Sequence, residues 1–447
     1  MIAAARVAAF KALMSLSSER GDLASIVAHA RASLADERDR ALATEIVYGV
    51  QRWQAALDAI IQAIAGRPTA RLDREIVNLL RLSLYQLQHL TRVPKAAVVN
   101  DAVEMTRKAG KKSASGFVNA VLRKAGSEKA LDFLPPRPVD DSNRELAIDY
   151  LSTTLSHPRW LATRWHDRLG LTTAETWMRF NNTPGSLTLR ANRLRATPNE
   201  VRDRLRTTGT IVTPGRFAPD SLTVDSGHPT GHDFVIQDEA SQLVTLLAGE
   251  HPGPQVLDTC ASPGGKATAL AAAMLTHQGR LLVACDVRER RIDLLRRTIE
   301  TTGASEVRIV QADALDSLPF SRVFDCVIVD APCSGLGTLR RDPDIKWKRT
   351  EADLPLLADR QLKMLVNAAA VVKPGGRLVY ATCSSEPDEN EFVVDRFLAA
   401  SRFQPLDAAA AHPQLASTLV DSRGHFRTAP HLHQLECFFG AVLEAPR

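Results

Sequence analysis

The sequence predicts a multidomain chain: an all-helical bundle, then a small α+β module, then a doubly wound α/β domain. Three observations predict it. Residues 1–131 repeat apolar side chains at helical spacing with almost no strand-like alternation. A proline-broken stretch then leads into a mixed segment. From Gln237 onward, short apolar runs alternate with helix-like segments, the pattern of a parallel sheet covered on both faces. A chain of 447 residues is also too long for one ordinary core.

In residues 1–131, RVAAFKALMSL, ATEIVYGVQRWQAALDAIIQAI, REIVNLLRLSLYQLQHL and GFVNAVLRKA read as amphipathic helices. Breaks fall at Gly21, Gly66 to Pro68, Pro94 and Gly110, and the short loops suggest a compact bundle. Residues 132–144 contain FLPPRPVDD, whose prolines exclude helix, and read as an extended linker. In residues 145–236, HPRWLATRWHDRLG and NEVRDRLRTTG read as helices, and LTLRANRL and LTVDSG as short strands. Arg190, Arg193, Arg195, Arg202, Arg204 and Arg206 suit a nucleic-acid path, although a solvated helix face explains the last three equally well. In residues 237–447 the strands are QVLDTC, RLLVACDV, VRIVQAD, FDCVIVDAP, GRLVYATC and FFGAVLE. Ligands of such a sheet sit at the C-terminal ends of its strands.

Composition narrows the function classes. A hydrophobic fraction of 45% and a charged fraction of 24% are ordinary for a globular protein, and no apolar run is long enough to span a membrane. Arg6 and Lys11 interrupt the first apolar stretch, which therefore reads as a helix and not an export signal. A cytoplasmic protein is expected. The net charge of +5 permits a nucleic-acid partner without selecting one. The six cysteines form no CxxC pair and the twelve histidines no HExxH, so no metal site and no disulfide is expected.

The first candidate site is Asp258-Thr-Cys-Ala-Ser-Pro-Gly-Gly-Lys266, between a strand and a helix. Its two glycines allow a tight turn and close approach of a ligand. It is not a P-loop, which needs Gly where Cys260 stands and Ser or Thr where Ala267 stands. Asp286 ends the next strand, where Rossmann-like folds place an acid for a ribose hydroxyl pair. Asp313 follows the third strand and can reach an adenine amino group, or simply cap a turn. Acids at successive strand ends, without a phosphate-binding device, suit a nucleoside ligand lacking phosphate. S-adenosylmethionine fits that description.

Two thiols stand at the same mouth. Cys285 and Cys326 lie inside apolar strands and read as core, whereas Cys333 and Cys383 follow strand ends in Pro/Gly/Ser-rich turns that favour reactivity. A methyltransferase acting on cytosine carbon 5 has a use for a thiol. Carbon 5 is a poor nucleophile until a thiolate adds to carbon 6, and covalent addition divides one hard step into easier ones. Asp330, at the end of the fourth strand, is placed to hydrogen-bond the ring nitrogen as charge develops. Spacing alone does not say which thiol attacks. In Leu339 to Arg349, LRRDPDIKWKR, the cations Arg340, Arg341, Lys346, Lys348 and Arg349 suit phosphates and Trp347 suits base stacking, unless the segment is an ordinary loop.

These residues resemble the RNA 5-cytosine methyltransferase family of the Sun/RsmB type over nearly the whole chain. VLDTCASPGGKATAL resembles its cofactor motif, FDCVIVDAPCSGLGTLRRDPDIKWKR its motif IV and LVYATCSSEPDENE its motif VI. LLRLSLYQLQHLTRVPKAAVVNDAVE and FVNAVLR resemble the NusB-like RNA-binding domain that the bacterial small-subunit ribosomal RNA enzymes carry. The resemblance implies S-adenosylmethionine as cofactor, a Rossmann-like methyltransferase domain and ribosomal RNA as partner; a monomer is expected. It implies that Cys383 is the nucleophile and that Cys333 assists release, with Asp330 beside them. It places the cofactor against Cys260, Ala261, Ser262, Pro263, Gly264, Gly265 and Lys266, joined by Asp286, Asp313 and Asp330. The family usually has Ala where this chain has Ser262. The alternatives are the same chemistry on transfer RNA, and a non-catalytic RNA-binding factor.

Overall fold

The computed structural model describes residues 2–18, 21–126 and 128–447. The chain forms two compact units, Met1–Pro184 with Leu339–Lys348, and Gly185–Thr338 with Arg349–Arg447. Among the described residues no helix is long and apolar enough to cross a membrane.

The first unit is helical. Its bundle comprises α1 (Ala4–Leu16), α2 (Leu23–Ala32), α3 (Glu37–Ala65), α4 (Arg74–His89), α5 (Lys95–Lys108) and α6 (Ser115–Ala125). The helical spacing in the sequence becomes the buried face. Ile76, Leu79, Leu80, Leu84 and Leu87 of α4 are buried against Ile46, Val50 and Leu57 of α3 and Leu13 of α1. Each such side chain contributes roughly 1.5–3 kcal/mol by leaving water. At Gly49 the approach is so close that a Cβ would stand 1.9 Å from the Tyr85 ring, so no larger residue fits there. Asp36 caps the start of α3 by accepting from the Arg38 N–H, and Gly66, at φ 67°, closes it in the left-handed region. A short 3-10 turn runs to Phe133; the stretch from Pro135 to Pro138 then carries neither helix nor strand and leads to α7 (Arg144–Asp149), a π turn at Tyr150–Thr154 and α8 (Arg159–Asn181). One detail differs from the sequence reading. The helix starting at HPRWLA resumes after an interruption at Gly170 and runs to Asn181. By compactness it falls in the first unit.

α3 is broken at Trp53, whose backbone leaves the helical region (φ −109°, ψ 16°). Groups around the break find partners elsewhere in the same unit. The Ala55 N–H donates to Ser156 Oγ at 2.8 Å, the Gln51 carbonyl accepts from Trp347 Nε1 at 2.7 Å, and the Arg52 carbonyl accepts from Lys346 Nζ at 2.8 Å. Lys346 is buried, and its ammonium also reaches Asn182 Oδ1 at 3.2 Å. Burial and the Arg52 charge push its pKa well below the ordinary lysine value. Lys346 and Trp347 therefore serve as internal anchors of the helical unit and not as contacts for RNA phosphate or base.

The second unit begins with a four-stranded antiparallel sheet in the order β2-β3-β1-β4, formed by β1 (Thr188–Ala191), β2 (Ile211–Pro214), β3 (Ser221–Ser226) and β4 (Phe234–Ile236). α9 (Pro198–Thr207) packs on it, started by a capping box between Thr197 and Glu200, with Leu189, Val201, Leu205 and Leu222 as its core. The arginines here are mostly structural. Arg190 is buried and donates to the Gly265 carbonyl and to Thr268 Oγ1, Arg195 donates to the Thr302 carbonyl at 3.1 Å, and Arg204 pairs with Asp233.

The large sheet runs β10-β12-β9-β8-β5-β6-β7, with β11 paired to β12. Its strands are β5 (Gln255–Asp258), β6 (Leu281–Asp286), β7 (Val307–Gln311), β8 (Phe324–Asp330), β9 (Val372–Thr382), β10 (Gln404–Leu406), β11 (Phe426–Arg427) and β12 (Phe439–Glu444). It is flanked by α10 (Glu239–Leu246), α11 (Gly265–Ala273), α12 (Glu289–Thr302), α14 (Asp353–Ala369), α15 (Glu391–Ala400) and the short α16 (Pro430–His433), while α13 (Ile345–Lys348) is the anchor already placed in the helical unit. β7, β6, β5, β8 and β9 are parallel, as expected, but β12 runs antiparallel to β9 and to β10. The purely parallel sheet therefore gives way to a mixed one, because β12 returns between β9 and β10 as an antiparallel partner of both.

Ser156→Ala should leave the part-buried Ala55 N–H without its partner and cost about 1 kcal/mol of stability. Urea unfolding of the variant beside the parent protein measures it, and an unchanged midpoint would show that the broken turn re-forms without help.

Candidate active site

Adjacent parallel strands bring the candidate residues together. β5, β8 and β9 are neighbours, and Asp330 pairs in register with Ala381. Asp258 thus ends the central strand, Asp330 the next, and the two cysteine turns leave adjacent strands at one level. Cys333 Sγ and Cys383 Sγ are 3.2 Å apart. The turns lock together through Gly337, whose N–H donates to the Cys383 carbonyl at 2.9 Å and whose carbonyl accepts from the Cys437 N–H at 2.9 Å. A Cβ at position 337 would lie 2.1 Å from the Cys437 oxygen, so the approach requires glycine. Arg349 holds the same turn from outside, donating to the Ser334 carbonyl at 3.0 Å.

Beside the thiols, a cleft of about 360 Å³ is lined by Ile236, Gln237, Ser241, Asp258, Cys260, Ala261, Ser262, Pro263, Gly265, Lys266, Thr298 and Asp330. That volume is at the small end for sites of drug-sized ligands. Gly264 starts α11 at φ 107°, with a Cβ there 3.0 Å from Leu295, so it shapes the cleft wall through the backbone. Lys266 Nζ pairs with Asp330 Oδ2 at 2.6 Å. Burial alone would lower the lysine pKa, but the charge and hydrogen bond of Asp330 outweigh it and the ammonium is held charged. Asp258 is buried, and burial with the neighbouring Asp330 charge raises its carboxyl to about 7.

Asp286 and Asp313 stand apart from the cleft lining. Asp286 is buried, with Oδ1 accepting from the Val287 N–H at 2.9 Å and Oδ2 without a hydrogen bond among the described residues. It is tied to the glycine turn indirectly, since Ser262 Oγ donates to the Arg291 carbonyl and the Arg291 guanidinium lies 3.6 Å from Asp286 Oδ2. Asp313 Oδ1 accepts from the Leu315 N–H at 2.9 Å, the turn-capping role that the sequence kept open. Cys285 and Cys326 are core residues, as the strand pattern indicated. Sequence reasoning missed Gln237, Ser241 and Thr298, which come from α10, α12 and the segment before them; no motif marks their convergence.

The residues fit S-adenosylmethionine. A buried carboxylate oxygen that accepts no hydrogen bond among the described residues can receive ribose hydroxyls at the end of β6, the turn after β5 leaves room for close approach, and acidic Asp258 and Asp330 suit a cationic ligand. The thiols suit a different task. Cys333 is held well above the ordinary thiol range by its hydrogen bond to Cys383, by burial and by the charges of Cys383 and Glu389, so it rests as a neutral thiol.

The raised Asp258 carboxyl makes a pH prediction. An aspartate titrates near 3.9 when unfolded and near 7 here, so the folded chain binds this proton more tightly. Its contribution to stability is present at low pH and is lost as pH rises toward 7. Thermal unfolding at a series of pH values should show the stability of the parent protein falling relative to Asp258→Asn between about pH 4 and 7, then levelling off. A difference independent of pH would place the titration elsewhere.

Comparison with known proteins agrees with this geometry. The chain matches the 16S rRNA methyltransferase RsmB/F family over residues 244–444, the NusB family over 3–127 and the RsmF/B-like ferredoxin-like domain family over 157–230. It is 33% identical to a probable ribosomal RNA small subunit methyltransferase B of Bacillus subtilis, covering 90% of each chain. It is 32% identical to the ribosomal RNA small subunit methyltransferase B of Pseudomonas syringae pv. tomato, covering 94% of this chain and 92% of that one. Among solved structures, that of PH0851 shares the fold over 99% of both chains, with a TM-score of 0.81 at 24% identity. A methyltransferase homologue from Pyrococcus horikoshii matches with a TM-score of 0.56 at 25% identity, covering 67% of this chain and 98% of that one. The helical bundle is thus a NusB domain, the small sheet a ferredoxin-like module and the large sheet a methyltransferase domain, and the chain belongs to the ribosomal RNA small subunit methyltransferase B family.

Proposed function

We propose that this protein methylates carbon 5 of a cytosine in small-subunit ribosomal RNA, with S-adenosylmethionine as donor and Cys383 as covalent nucleophile. The observation that carries the reading is the thiol pair, 3.2 Å apart beside a cleft suited to a nucleoside. Methylation of an exocyclic amine needs no thiol at all.

Each residue has a task. Cys383, in the electrostatic field of Lys266, adds to cytosine carbon 6 and makes carbon 5 electron-rich. Asp330, held in place by Lys266, donates to the ring nitrogen once it carries a proton, as negative charge builds there. The cofactor supplies an electrophilic methyl group on a sulfonium, which carbon 5 takes. The carbon 5 proton is then removed, its electron pair re-forms the C5–C6 double bond, and the carbon–sulfur bond breaks to return the Cys383 thiolate. Cys333 assists this release. In the cofactor cleft, the turn from Cys260 to Lys266 holds the ligand backbone-first, Asp286 takes the ribose hydroxyls, and Asp258 faces the cationic end.

Cys383→Ala should abolish turnover and form no adduct, while Cys333→Ala should accumulate a protein–RNA complex that survives denaturing electrophoresis. The reverse pair of phenotypes would exchange the two roles. Bisulfite sequencing of ribosomal RNA from cells with and without the protein should show one cytosine losing its protection, and no change would remove the carbon 5 assignment. Asp286→Ala should weaken S-adenosylmethionine binding about 10- to 100-fold by calorimetry, the effect of losing hydrogen bonds to a charged group; undiminished affinity would move the ribose elsewhere.

A further inference from the structure

Beneath the two cysteine turns lies a buried carboxylate that the chemistry above does not use. Glu389 is fully buried on the short helical turn Pro387–Glu389. Its Oε1 accepts from the Ser334 N–H at 2.8 Å and from Gln361 Nε2 at 2.9 Å, and its Oε2 accepts from the Ser334 and Ser384 hydroxyls, each at 2.5 Å. Ser334 follows Cys333 and Ser384 follows Cys383. One side chain therefore holds the residue next to each thiol. Its surroundings are held in turn: Gln361 donates to the Pro332 carbonyl at 3.1 Å, and the Tyr380 hydroxyl lies 2.6 Å from the Glu389 carbonyl. Ser334, Gln361, Tyr380 and Ser384 are all fully buried.

Burying a carboxylate is costly unless several donors meet it, and a neutral side chain would close either turn more cheaply. What a carboxylate adds is two oxygens that each accept more than one hydrogen bond. Glu389 uses both, and both reach the cysteine turns. We propose that Glu389 is a positioning residue that fixes the spacing and orientation of the Cys333 and Cys383 side chains relative to each other. The inference rests on the assignment of both thiols to the chemistry, but its test reads their spacing directly.

In the full-length protein, diamide oxidises a thiol pair: the two sulfurs give up two protons and two electrons, an S–S bond forms, and diamide becomes its hydrazine. Peptide mapping by mass spectrometry under non-reducing conditions follows closure of Cys333 with Cys383. Glu389→Ala should slow this closure about tenfold or more and lower kcat by at least a similar factor, with the KM for S-adenosylmethionine within about twofold, since small misplacements of reacting groups are costly. Glu389→Gln keeps the reach, and the serine hydroxyls can turn to meet its amide, so it should stay within about threefold of the parent in both measurements. Should Glu389→Ala not fold, the double variant Ser334→Ala/Ser384→Ala removes the hydroxyl pair and must show the same slowing. Closure at the parent rate in these variants overturns the proposal. So does a Glu389→Gln loss as large as that of Glu389→Ala, which would assign the effect to charge. If instead Cys383→Ala retains activity, the nucleophile assignment fails while the closure rates still report on Glu389.

Discussion

The chemistry depends on two parallel strands ending side by side. β8 and β9 run in register up to Asp330 and Ala381, so the turns that follow must emerge together. Everything else adjusts to that constraint. Gly337 gives up its side chain to let the turns touch, Glu389 is buried to hold them from below, and the sulfurs meet at 3.2 Å. Parallel pairing puts the ends of sequence-distant strands at one edge, which is why such sheets carry their sites there.

Charge in the site is arranged by partner and depth. Asp258 and Asp330 end adjacent strands, yet only Asp330 has an ammonium at 2.6 Å. The deeper Asp258, with no ammonium beside it, is pushed toward neutrality, while Lys266, paired with Asp330, stays charged in spite of burial. Two like acids thereby acquire different characters, one suited to answering a cationic ligand and the other to a fixed hydrogen bond near the pyrimidine.

Much of this was legible in the sequence. Helical periodicity located the α3 and α4 faces, and apolar runs located β5 to β9, because burial on one face or two writes a period into the chain. Strand-end acids and cysteines were legible for the same reason: once a strand is placed, its last residue is placed. The antiparallel return of β12 was not legible, since a short apolar strand looks the same in either direction. Nor was the fate of LRRDPDIKWKR. Its cations and tryptophan have the composition of an RNA contact, but Lys346 and Trp347 donate to carbonyls of a broken helix nearly 300 positions earlier. Composition states what a side chain is able to bind and says nothing of which partner folding will supply. Glu389 was hidden for a related reason, because a glutamate in a polar run gives no sign of being sealed.

The break at Trp53 bears on how this gene can be rearranged. The decapeptide Leu339–Lys348 is encoded within the methyltransferase half but completes the helical body, filling carbonyls there with an ammonium and an indole. Recombination that exchanged only the front of the gene would deliver a helix with one set of hydrogen-bonding needs and a decapeptide suited to another. A chimera drawn from distant relatives therefore has to carry both stretches across from the same parent.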